Sequence, residues 1–482
     1  MTRPYTMESA LDGRLPASAH LIGIGGAGMS AIARALLAAN VVVSGSDACA
    51  TSESCRQLKL LGATVWQGHR AENLAAEADV VIVSTAIRTS NPELAAARER
   101  KLPVLHRSQG LALFLQGRAS CLVAGTHGKT TTTAMLALCL SEGGFDPHAF
   151  VGGSVPAFGG NVRLGKGNWA VAEADESDGS FRNLPADNLI VTNVEPDHLD
   201  YWRTAERMMG GYVEVCERLP ASGTLLICSD DPGACELRER LDRPALAYGI
   251  EPGIAHYHAG NVVEEPFRSH FNLYVMGKRA GRITLGVPGR QNIQNAVGAA
   301  ALALRLGASF SAIARALENF HGVERRFQIK GTEGGVTVID DYAHHPTEIR
   351  ATLAAGRQAL RGTDGRLIAV FQPHRYTRTR DFLTEFADSL TAADRVILTD
   401  IYAASEDPIP GVGIDRLAAD VAATLGERCQ LIRDRSAIAE ALAPELSGGD
   451  LVLTLGAGDN WRTADELLSQ LATLSLPAEP AD

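Results

Sequence analysis

The chain has 482 residues, of which 45% are hydrophobic and 21% charged, and its formal net charge at pH 7 is -11. This length predicts about three domains, because a single hydrophobic core rarely serves more than about 300 residues. The acidic balance argues against a broad nucleic-acid-binding or acidic-lipid-binding surface, which needs a basic excess, but it leaves room for a local pocket that binds a small anion.

The cysteine content and the N-terminal segment predict a location in the cell. The eight cysteines show no metal-binding spacing, so we expect reduced thiols in a cytosol. Residues 1–20 include Glu8 and Asp12 and lack the apolar core of a signal peptide. No apolar run approaches the roughly 18 residues of a membrane span. We therefore expect a cytoplasmic protein with neither a membrane nor a nucleic-acid partner.

Short strand-like runs alternate with helical runs in three stretches of the chain. The first, from His20, reads HLIGIG, GMSAIARALLAAN, VVVSGSD, SCRQLKLLGA and ADVVIVSTAI. The second starts near residue 119 with CLVAGT, TTTAMLALCLSEGG, NWAVAEADES, NLIVTNVEPDH and GTLLICSDD. The third starts near Gly335 with VTVIDDYA, PTEIRATLAAGRQAL, LIAVFQPH, TRDFLTEFADSL, DRVILTDIY, IDRLAADVAATL and LVLTLGAGD.

This alternation predicts an α/β protein with doubly wound, mostly parallel sheets. We expect three domains: a Rossmann-like N-terminal domain (1–118), a central P-loop ATPase-like domain (119–325) and a Rossmann-like C-terminal domain (326–482). The last residues, LPAEPAD, are expected to form a frayed tail.

A glycine-rich loop follows the first predicted strand. The motif GIGGAG (23–28) opens a predicted helix, and Asp47 ends the next strand about 20 residues later. Such glycines let the backbone approach a diphosphate at the helix N-terminus, where unpaired N–H groups favour an anion. NAD, FAD and a nucleotide-sugar all fit this pattern, and a tight turn without a ligand also remains open.

A second glycine-rich loop, GTHGKTT (125–131), follows the first strand of the second stretch. It departs from the Walker A spacing, because Gly125 lies three residues before Gly128. Lys129 is nevertheless suited to reach the β- and γ-phosphates of a nucleotide, and the Thr130 hydroxyl is suited to bind Mg²⁺. The sequence thus predicts one loop for a triphosphate and another for a diphosphate ligand.

Two further side chains, Glu173 and His198, follow predicted strands near the second loop. The carboxyl ends of strands in open α/β sheets are where ligands bind. A carboxylate and an imidazole can each hold a metal ion that neutralises charge during phosphoryl transfer. Alone, Glu173 is equally suited to cap a helix, and a single histidine is more often structural. Together with the lysine loop, they favour metal binding.

Charged and imidazole side chains also cluster at the second predicted boundary and at two strand ends of the third stretch. They lie in GVERRF, VIDDYAHHPTEI and FQPHRYTRTRDF, and they are Arg325, Arg326, Asp340, Asp341, His344, His345, His374, Arg375 and Arg378. An arginine here could clamp a γ-phosphate on domain closure, and the last motif could grip a carboxylate. For GVERRF the alternative is a solvated linker, and for VIDDYAHHPTEI it is turn and cap chemistry. For FQPHRYTRTRDF it is a basic helix start.

The order of these motifs resembles that of the Mur ligases. It runs GIGGAGMSAIA, GTHGKTTT, EADESD, TNVEPDHLD, GRQNIQNAVGAA, GVERRF, DDYAHHPTE and FQPHRYTRT, from about residue 20 to about residue 460. In that family the first loop holds the diphosphate of a UDP-sugar and the second holds ATP. The resemblance therefore implies an ATP-dependent amide ligase of peptidoglycan precursor synthesis, working through an acyl phosphate.

The resemblance also implies residue roles. For ATP it implies Gly125, Thr126, His127, Gly128, Lys129, Thr130, Thr131, Asn295 at adenine, Arg326 at the γ-phosphate and Asp341 near the ribose. For Mg²⁺ it implies Thr130 and Glu173 on one ion and His198 on a second. For the UDP-sugar it implies Gly25, Ala27, Gly28, Asp47, Ser84 and Arg107, and for the acceptor amino acid His344, His374, Arg375 and Arg378. The predicted catalytic residues are Lys129, His198, Arg326 and His344, the last as the base for the amine.

Two positions depart from the family pattern. Gln291 stands where the family often has His, which leaves the adenine contacts there open. Family members that add later residues carry a carbamylated lysine about 15 residues after the metal-binding His. Here that spacing holds Val213, and no lysine occurs between Lys166 and Lys278. The resemblance thus favours the member that joins L-alanine to UDP-N-acetylmuramate, as a monomer or homodimer.

Three alternatives remain at this point. A recycling ligase would join a ready-made tripeptide to the same UDP-sugar. A nicotinamide-dependent dehydrogenase would use the first loop but would leave the lysine loop unexplained. A non-catalytic ATP-dependent switch would leave Glu173, His198 and the histidines of the third stretch without a role.

Overall fold

A computed structural model describes residues 6–251, 253–404 and 406–475, so the expected tail in 476–482 lies outside the described residues. By its internal contacts the chain divides into two compact units. The first comprises the described parts of Met1–Gly260, Asn272–Ile283 and Gln294–Phe320, and the second those of Asn261–Phe271, Thr284–Ile293 and His321–Asp482. Since this division gives two units, the predicted three-domain boundaries stay a prediction.

The N-terminal part of the chain forms a five-stranded parallel sheet. Its elements are α1 (Met7–Leu11), β1 (Ser18–Ile22), α2 (Ala27–Ala38), β2 (Val42–Asp47), α3 (Glu53–Leu60), β3 (Thr64–Gln67), β4 (Val80–Val83), α4 (Pro92–Glu99), β5 (Val104–His106) and α5 (Arg107–Leu115). The strand order is β3-β2-β1-β4-β5, and all of its pairs are parallel. The order reverses at β1, so the loop after β1 lies at the switch point where such sheets bind ligands.

The next part of the chain builds a ten-stranded sheet. Its first elements are β6 (Ala119–Ala124), α6 (Lys129–Glu142), β7 (His148–Val155), β8 (Gly160–Arg163), β9 (Trp169–Glu173), β10 (Asn188–Val191), α7 (Leu199–Trp202) and α8 (Ala205–Glu217). They are followed by β11 (Leu225–Cys228), α9 (Pro232–Glu239), β12 (Leu246–Gly249), β13 (Tyr257–Glu265), β14 (Arg268–Val275), β15 (Lys278–Leu285), α10 (Arg290–Arg305) and α11 (Phe310–Glu318). The order β15-β14-β13-β12-β11-β10-β6-β9-β7-β8 places β6 between β10 and β9. The ends of these three strands therefore meet at one sheet edge.

The C-terminal part of the chain forms a six-stranded sheet. Its elements are β16 (Gln328–Glu333), β17 (Val336–Asp341), α12 (Pro346–Ala359), β18 (Leu367–Phe371), α13 (Tyr376–Asp381), α14 (Leu383–Leu390), β19 (Arg395–Leu398), α15 (Ile414–Leu425), β20 (Cys429–Leu431), α16 (Ile438–Leu442), β21 (Leu451–Leu455) and α17 (Trp461–Ser475). The order is β16-β17-β21-β18-β19-β20, with β16 antiparallel to β17 and the other pairs parallel. Strands β18 and β21 are buried along their whole length, as the near-continuous apolar runs in their sequences predict.

The three mostly parallel sheets confirm the predicted α/β class. Strands β13, β14 and β15 extend the second sheet and were not predicted from the sequence. In β14, for example, the buried residues Ser269, Phe271 and Leu273 alternate with less buried ones, which is typical of strands with one solvated face. None of the helices in the described ranges is long and apolar enough to cross a membrane.

A buried carboxylate, Glu93, ties the first sheet together. It is fully buried at the start of α4 and receives hydrogen bonds from Ser46 Oγ at 2.5 Å, Asn73 Nδ2 at 2.7 Å and the Arg70 N–H at 3.1 Å, and it lies 3.4 Å from His20 Nε2. Burial by itself would raise the pKa of Glu93, but the hydrogen bonds from His20, Ser46 and Asn73 outweigh it and hold the pKa at about 2. The ionised form of this carboxylate therefore stabilises the fold.

We expect this carboxylate to make the folded state sensitive to acid. Because the folded pKa lies below the ordinary value of 4.5, the stabilisation is present above pH 4.5 and is lost as the pH falls toward 2. The loss amounts to about 3 kcal/mol in the free energy of unfolding. Urea denaturation at a series of pH values should show this slope in the wild type and lose it in Glu93→Gln. The exposed Glu72→Gln is the matched control, and a Glu93 variant with the wild-type slope would contradict the assignment.

Candidate active site

The second glycine-rich loop connects β6 to α6, as predicted. Gly128 caps α6 with φ of 80°, and Gly125 has φ of 131°; both values lie in the region that favours glycine. A Cβ on Gly125 would lie 2.1 Å from Thr192 Oγ1, so the loop packs directly on the end of β10. The His127 N–H donates to Asn193 Oδ1 at 2.8 Å and holds the loop in place.

Lys129 is the first residue of α6, and its ammonium folds back over the loop. Nζ donates to the carbonyl oxygens of Gly125 at 2.5 Å and Thr126 at 3.1 Å, and to the Glu176 carboxylate at 2.8 and 3.1 Å. Burial alone would lower the pKa of Lys129, but Glu176 and Asp175 outweigh it and raise the pKa above its ordinary value. The lysine is therefore a permanent cation at this loop.

Glu176 and Asp175 contact these site residues but were not predicted as members of the site. Both lie three or fewer residues beyond Glu173, in the acidic run EADESD that follows β9. Glu176 is fully buried against Lys129, and Asp175 Oδ2 accepts from Arg107 at 2.5 Å. The signal in the sequence was a run of three acids in four residues at the end of a strand, because so dense a negative charge needs partners when it is buried.

The predicted metal-binding residues lie around the same sheet edge. Glu173 ends β9, beside β6, and Glu173 Oε1 accepts from the Gly152 N–H at 2.6 Å. A Cβ on Gly152 would lie 2.6 Å from Glu173 Oε2, so the missing side chain leaves space for the carboxylate. His198 has φ of 52° at the start of α7, and its Nε2 lies 3.9 Å from Glu176 Oε1. Thr130 is almost buried in α6. The Thr130 hydroxyl and the Glu173 carboxylate are oxygen donors of the kind that Mg²⁺ prefers, and the His198 imidazole lies at the same sheet edge.

Asn295 lies in α10, and its amide Oδ1 lies 2.6 Å from the position a Cβ would occupy on Gly128. The side chain is nearly buried. Because the Asn295 amide lies so close to Gly128, the residue that caps α6, a side chain at position 128 would displace this amide. The structure thus places Asn295 beside the lysine loop, and the contact with adenine that the family resemblance implies stays a prediction.

The first glycine-rich loop connects β1 to α2 at the switch point of the first sheet. The Asp47 carboxylate receives hydrogen bonds from the Gly25 N–H at 2.9 Å and the Cys49 N–H at 2.8 Å. A Cβ on Gly25 would lie 2.7 Å from Cys55 Sγ and 2.9 Å from Asp47 Oδ2. Asp47 therefore stabilises the conformation of the first glycine-rich loop. Ser84 follows β4, the strand beside β1.

Arg107 connects the first loop to the acidic run after β9. A Cβ on Gly28 would lie 3.3 Å from the guanidinium NH1, whereas NH2 donates to Asp175 at 2.5 Å and lies 3.7 Å from Asp178. The two predicted phosphate loops therefore share neighbouring acids: Asp175 holds Arg107 and Glu176 holds Lys129. Spacing in the sequence gave no indication of this link, because Arg107 and Asp175 are 68 residues apart.

In the second unit, one cluster lies at the end of β17. Asp341 accepts from the N–H groups of Phe327 and Ala343, each at 2.7 Å, and burial raises its pKa to about 6. His344 Nδ1 lies 2.9 Å from the Tyr342 carbonyl oxygen, and the His344 N–H donates to Glu348 Oε2 at 3.0 Å.

Arg326 lies in the same cluster. Its NH1 donates to Glu348 Oε1 at 3.3 Å, and its guanidinium lies 5.2 Å from the centre of the Tyr342 ring. The structure thus brings Arg326 and His344 onto the two oxygens of one carboxylate, Glu348. Glu348 was not predicted as a site residue.

A second cluster of the same unit follows β18. His374 stacks on Tyr402 with ring centres 5.6 Å apart and lies 6.0 Å from the His344 ring. Burial, helped by the neighbouring His344, Arg378 and Arg375, lowers the pKa of His374 to about 3, so this ring is neutral near pH 7. Arg375 has φ of 73°, which costs energy for a residue with a side chain, and its NH1 lies 3.8 Å from Glu406 Oε1.

Three family models match the chain in order. They are the Mur ligase family catalytic domain over residues 18–119, the Mur ligase middle domain over residues 123–303 and the Mur ligase glutamate ligase domain over residues 325–458. Together they cover most of the chain. Their order along the chain is that of the three stretches in the sequence.

Individual proteins resemble the chain over nearly its full length. The UDP-N-acetylmuramate--L-alanine ligase of Anaeromyxobacter dehalogenans is 43% identical over 455 residues, which cover 94% of this chain and 98% of the relative. The crystal structure of a UDP-N-acetylmuramate-alanine ligase from Thermotoga maritima matches with a TM-score of 0.81 at 28% identity, over 95% of this chain and 100% of that one. A murein peptide ligase from Psychrobacter arcticus shares the fold, with a TM-score of 0.71 at 23% identity over 96% and 99% of the two chains.

Proposed function

Because the chain belongs to the Mur ligase family, we infer that it joins L-alanine to the lactyl carboxylate of UDP-N-acetylmuramate at the expense of ATP. The observation that carries this function is the 43% identity over 94% of the chain to a ligase that is named for this reaction. The enzyme acts in peptidoglycan precursor synthesis. The recycling reaction with a tripeptide is the weaker candidate, since the murein peptide ligase is less similar in sequence and structure.

The three-domain assignment belongs to this proposal. Residues 1–118 bind the UDP-sugar, 119–325 bind ATP, and 326–482 bind the amino acid and part of the ATP. The protein is proposed to work in the cytoplasm, where ATP and both other substrates occur. It is proposed to act as a monomer or homodimer.

Two phosphate-binding loops suit this reaction because it uses two phosphorylated substrates. The loop at Gly25, Ala27 and Gly28 accepts the diphosphate of the UDP-sugar at the N-terminus of α2, with Asp47, Ser84 and Arg107 beside it. The loop 125–131 accepts the phosphates of ATP at the N-terminus of α6. Arg107 donates to Asp175, and Lys129 donates to the next residue, Glu176. These neighbouring contacts support a site in which the UDP-sugar and ATP bind close to each other.

Amide formation from a free carboxylate is uphill in water, so the carboxylate first attacks the γ-phosphorus of ATP and displaces ADP. This gives an acyl phosphate. Lys129 and Arg326 stabilise the negative charge of the transferring phosphoryl group, because both are fixed cations. Thr130, Glu173 and His198 would hold Mg²⁺, which neutralises phosphate charge when it is bound. Asn295 and Asp341 would contact the nucleoside of ATP.

The amine of L-alanine then attacks the acyl phosphate, and the tetrahedral intermediate expels inorganic phosphate. His344 takes the amine proton. Since Nδ1 lies against the Tyr342 carbonyl oxygen, it carries the ring proton in the neutral form, and Nε2 is the basic nitrogen. His374, Arg375 and Arg378 would hold the alanine carboxylate. His374 stays neutral near pH 7 and is therefore suited to orient the amino acid rather than to supply charge.

The first test is ADP release from Mg-ATP and UDP-N-acetylmuramate, with and without L-alanine, together with the mass of the product. Release that needs both substrates and an alanyl product would support the reaction. Turnover with the tripeptide but not with alanine would move the protein to the recycling reaction. The absence of ADP release with either acceptor would mean that the first loop binds another ligand.

His344→Gln tests the proposed base. We expect kcat for the alanine product to fall by about 100-fold, the usual contribution of a general base, while Mg-ADP affinity stays at the wild-type value. Hydroxylamine, which needs no base to attack, should still trap the acyl phosphate at the wild-type rate. His321→Gln changes an exposed histidine of the same unit and serves as the control. Unchanged kcat in His344→Gln would remove this residue from the mechanism.

A further inference from the structure

We propose that Glu176 is a positioning residue that competes with nucleotide phosphate for Lys129 and so promotes the release of ADP. This inference rests on the proposed function, because it assigns ATP to the loop 125–131. It concerns a residue outside the set that the family resemblance implies.

The contacts of Lys129 leave little capacity for another partner. An ammonium group has three N–H donors, and Nζ already contacts two loop carbonyl oxygens and both oxygens of Glu176. The carbonyls of Gly125 and Thr126 belong to the loop that encloses the phosphates. The carboxylate of Glu176 comes from a different segment, 47 residues away. It is therefore the partner that a phosphate oxygen must replace.

The surroundings of Glu176 keep its carboxylate in place to bind the Lys129 ammonium again after the phosphate has left. Its side chain is 1% exposed, so an ionised carboxylate there needs a counter-charge. The Trp202 Nε1–H donates to the Glu176 carbonyl oxygen at 3.1 Å and fixes the backbone at this position. Asp175 cannot serve instead, because its Oδ2 lies 2.5 Å from the Arg107 guanidinium. When a phosphate binds Lys129, Glu176 loses its closest cation.

This arrangement works against tight binding of a product. A buried carboxylate repels phosphate and attracts the lysine that the phosphate uses, so it weakens the affinity of the loop for ADP. The lower affinity for ADP increases turnover, since ADP leaves more readily when Lys129 pairs with Glu176 again. A residue that merely supports the loop would act in the opposite direction, and its loss would weaken nucleotide binding.

The test compares Mg-ADP binding by titration calorimetry with steady-state turnover in the full-length enzyme. We expect Glu176→Gln to bind Mg-ADP about tenfold more tightly, the size of one charge-assisted hydrogen bond. Its KM for ATP and its kcat should both fall, because release of ADP becomes slower. Weaker or unchanged Mg-ADP affinity in this variant would overturn the proposal.

Two further variants complete the test. Glu214→Gln removes the same charge from a half-exposed position of the same unit, where Glu214 pairs with Arg182 and Arg218, and should leave Mg-ADP affinity unchanged. Glu176→Asp keeps the charge but withdraws it by one methylene, and we expect binding about twofold to threefold tighter. It carries the test if Glu176→Gln does not fold, and unchanged affinity in it would then overturn the proposal. Wild-type protein that binds no Mg-ADP would instead contradict the proposed function.

Discussion

Lys129→Ala is expected to reduce ADP formation by about a thousandfold. The variant removes the cation that stabilises charge on the transferring phosphoryl group, and loss of one such preorganised donor costs about 100-fold to 1,000-fold in turnover. The effect should be at the upper end, because Lys129 contributes a full charge at a position where its side chain is only 14% exposed. The measurement is ADP release in the presence of both other substrates.

Structural damage must be separated from lost catalysis in this variant. Removal of Lys129 leaves the buried Glu176 without its closest cation, so the melting temperature is expected to fall as well. The double variant Lys129→Ala with Glu176→Gln should recover that stability but not the turnover. Lys166→Ala, at an exposed lysine of the same unit, is the control for general loss of a positive charge. Near-normal turnover in Lys129→Ala would remove the phosphate-loop assignment.

Gly25→Ala is expected to raise KM for the UDP-sugar by about 100-fold or more, the energy of two or three lost hydrogen bonds to a charged ligand. The new Cβ would lie 2.7 Å from Cys55 Sγ and 2.9 Å from Asp47 Oδ2, so the loop must shift and the Gly25 N–H must leave Asp47. The N–H groups at the start of α2 then no longer converge on a diphosphate.

The second loop supplies the internal comparison for this variant. Mg-ADP affinity of Gly25→Ala should remain at the wild-type value, because the lysine loop lies on another sheet. Gly210→Ala in α8, where a Cβ meets nothing within 4 Å, controls for the added methyl group. If Gly25→Ala lost ADP and UDP-sugar binding together, the assignment of separate ligands to the two loops would be wrong.

The elements that sequence patterns predicted are those whose cause is local. The strand-loop-helix units around GIGGAG and GTHGKTT formed as expected, because glycines and helix starts depend on residues a few positions apart. Strands β13 to β15 were missed, since a solvated strand carries only a weak alternation signal. The family was also readable from the sequence, because eight motifs occur in one order, and the three family models confirm it.

The site itself depended on contacts between residues far apart in the chain. Lys129 meets Glu176 across 47 residues, Arg107 meets Asp175 across 68, and Gly152 meets Glu173 across 21. No spacing in the sequence specifies these pairs. The pairs Lys129–Glu176 and Gly152–Glu173 follow from the strand order that places β9 between β6 and β7, whereas Arg107 reaches Asp175 from α5, which belongs to the first sheet. Local sequence patterns were therefore enough to predict the two glycine-rich loops and the family, while phosphate binding by these loops stays a prediction. Only the tertiary structure decided which buried acid holds each cation, since a charge removed from water must find its partner wherever packing brings one.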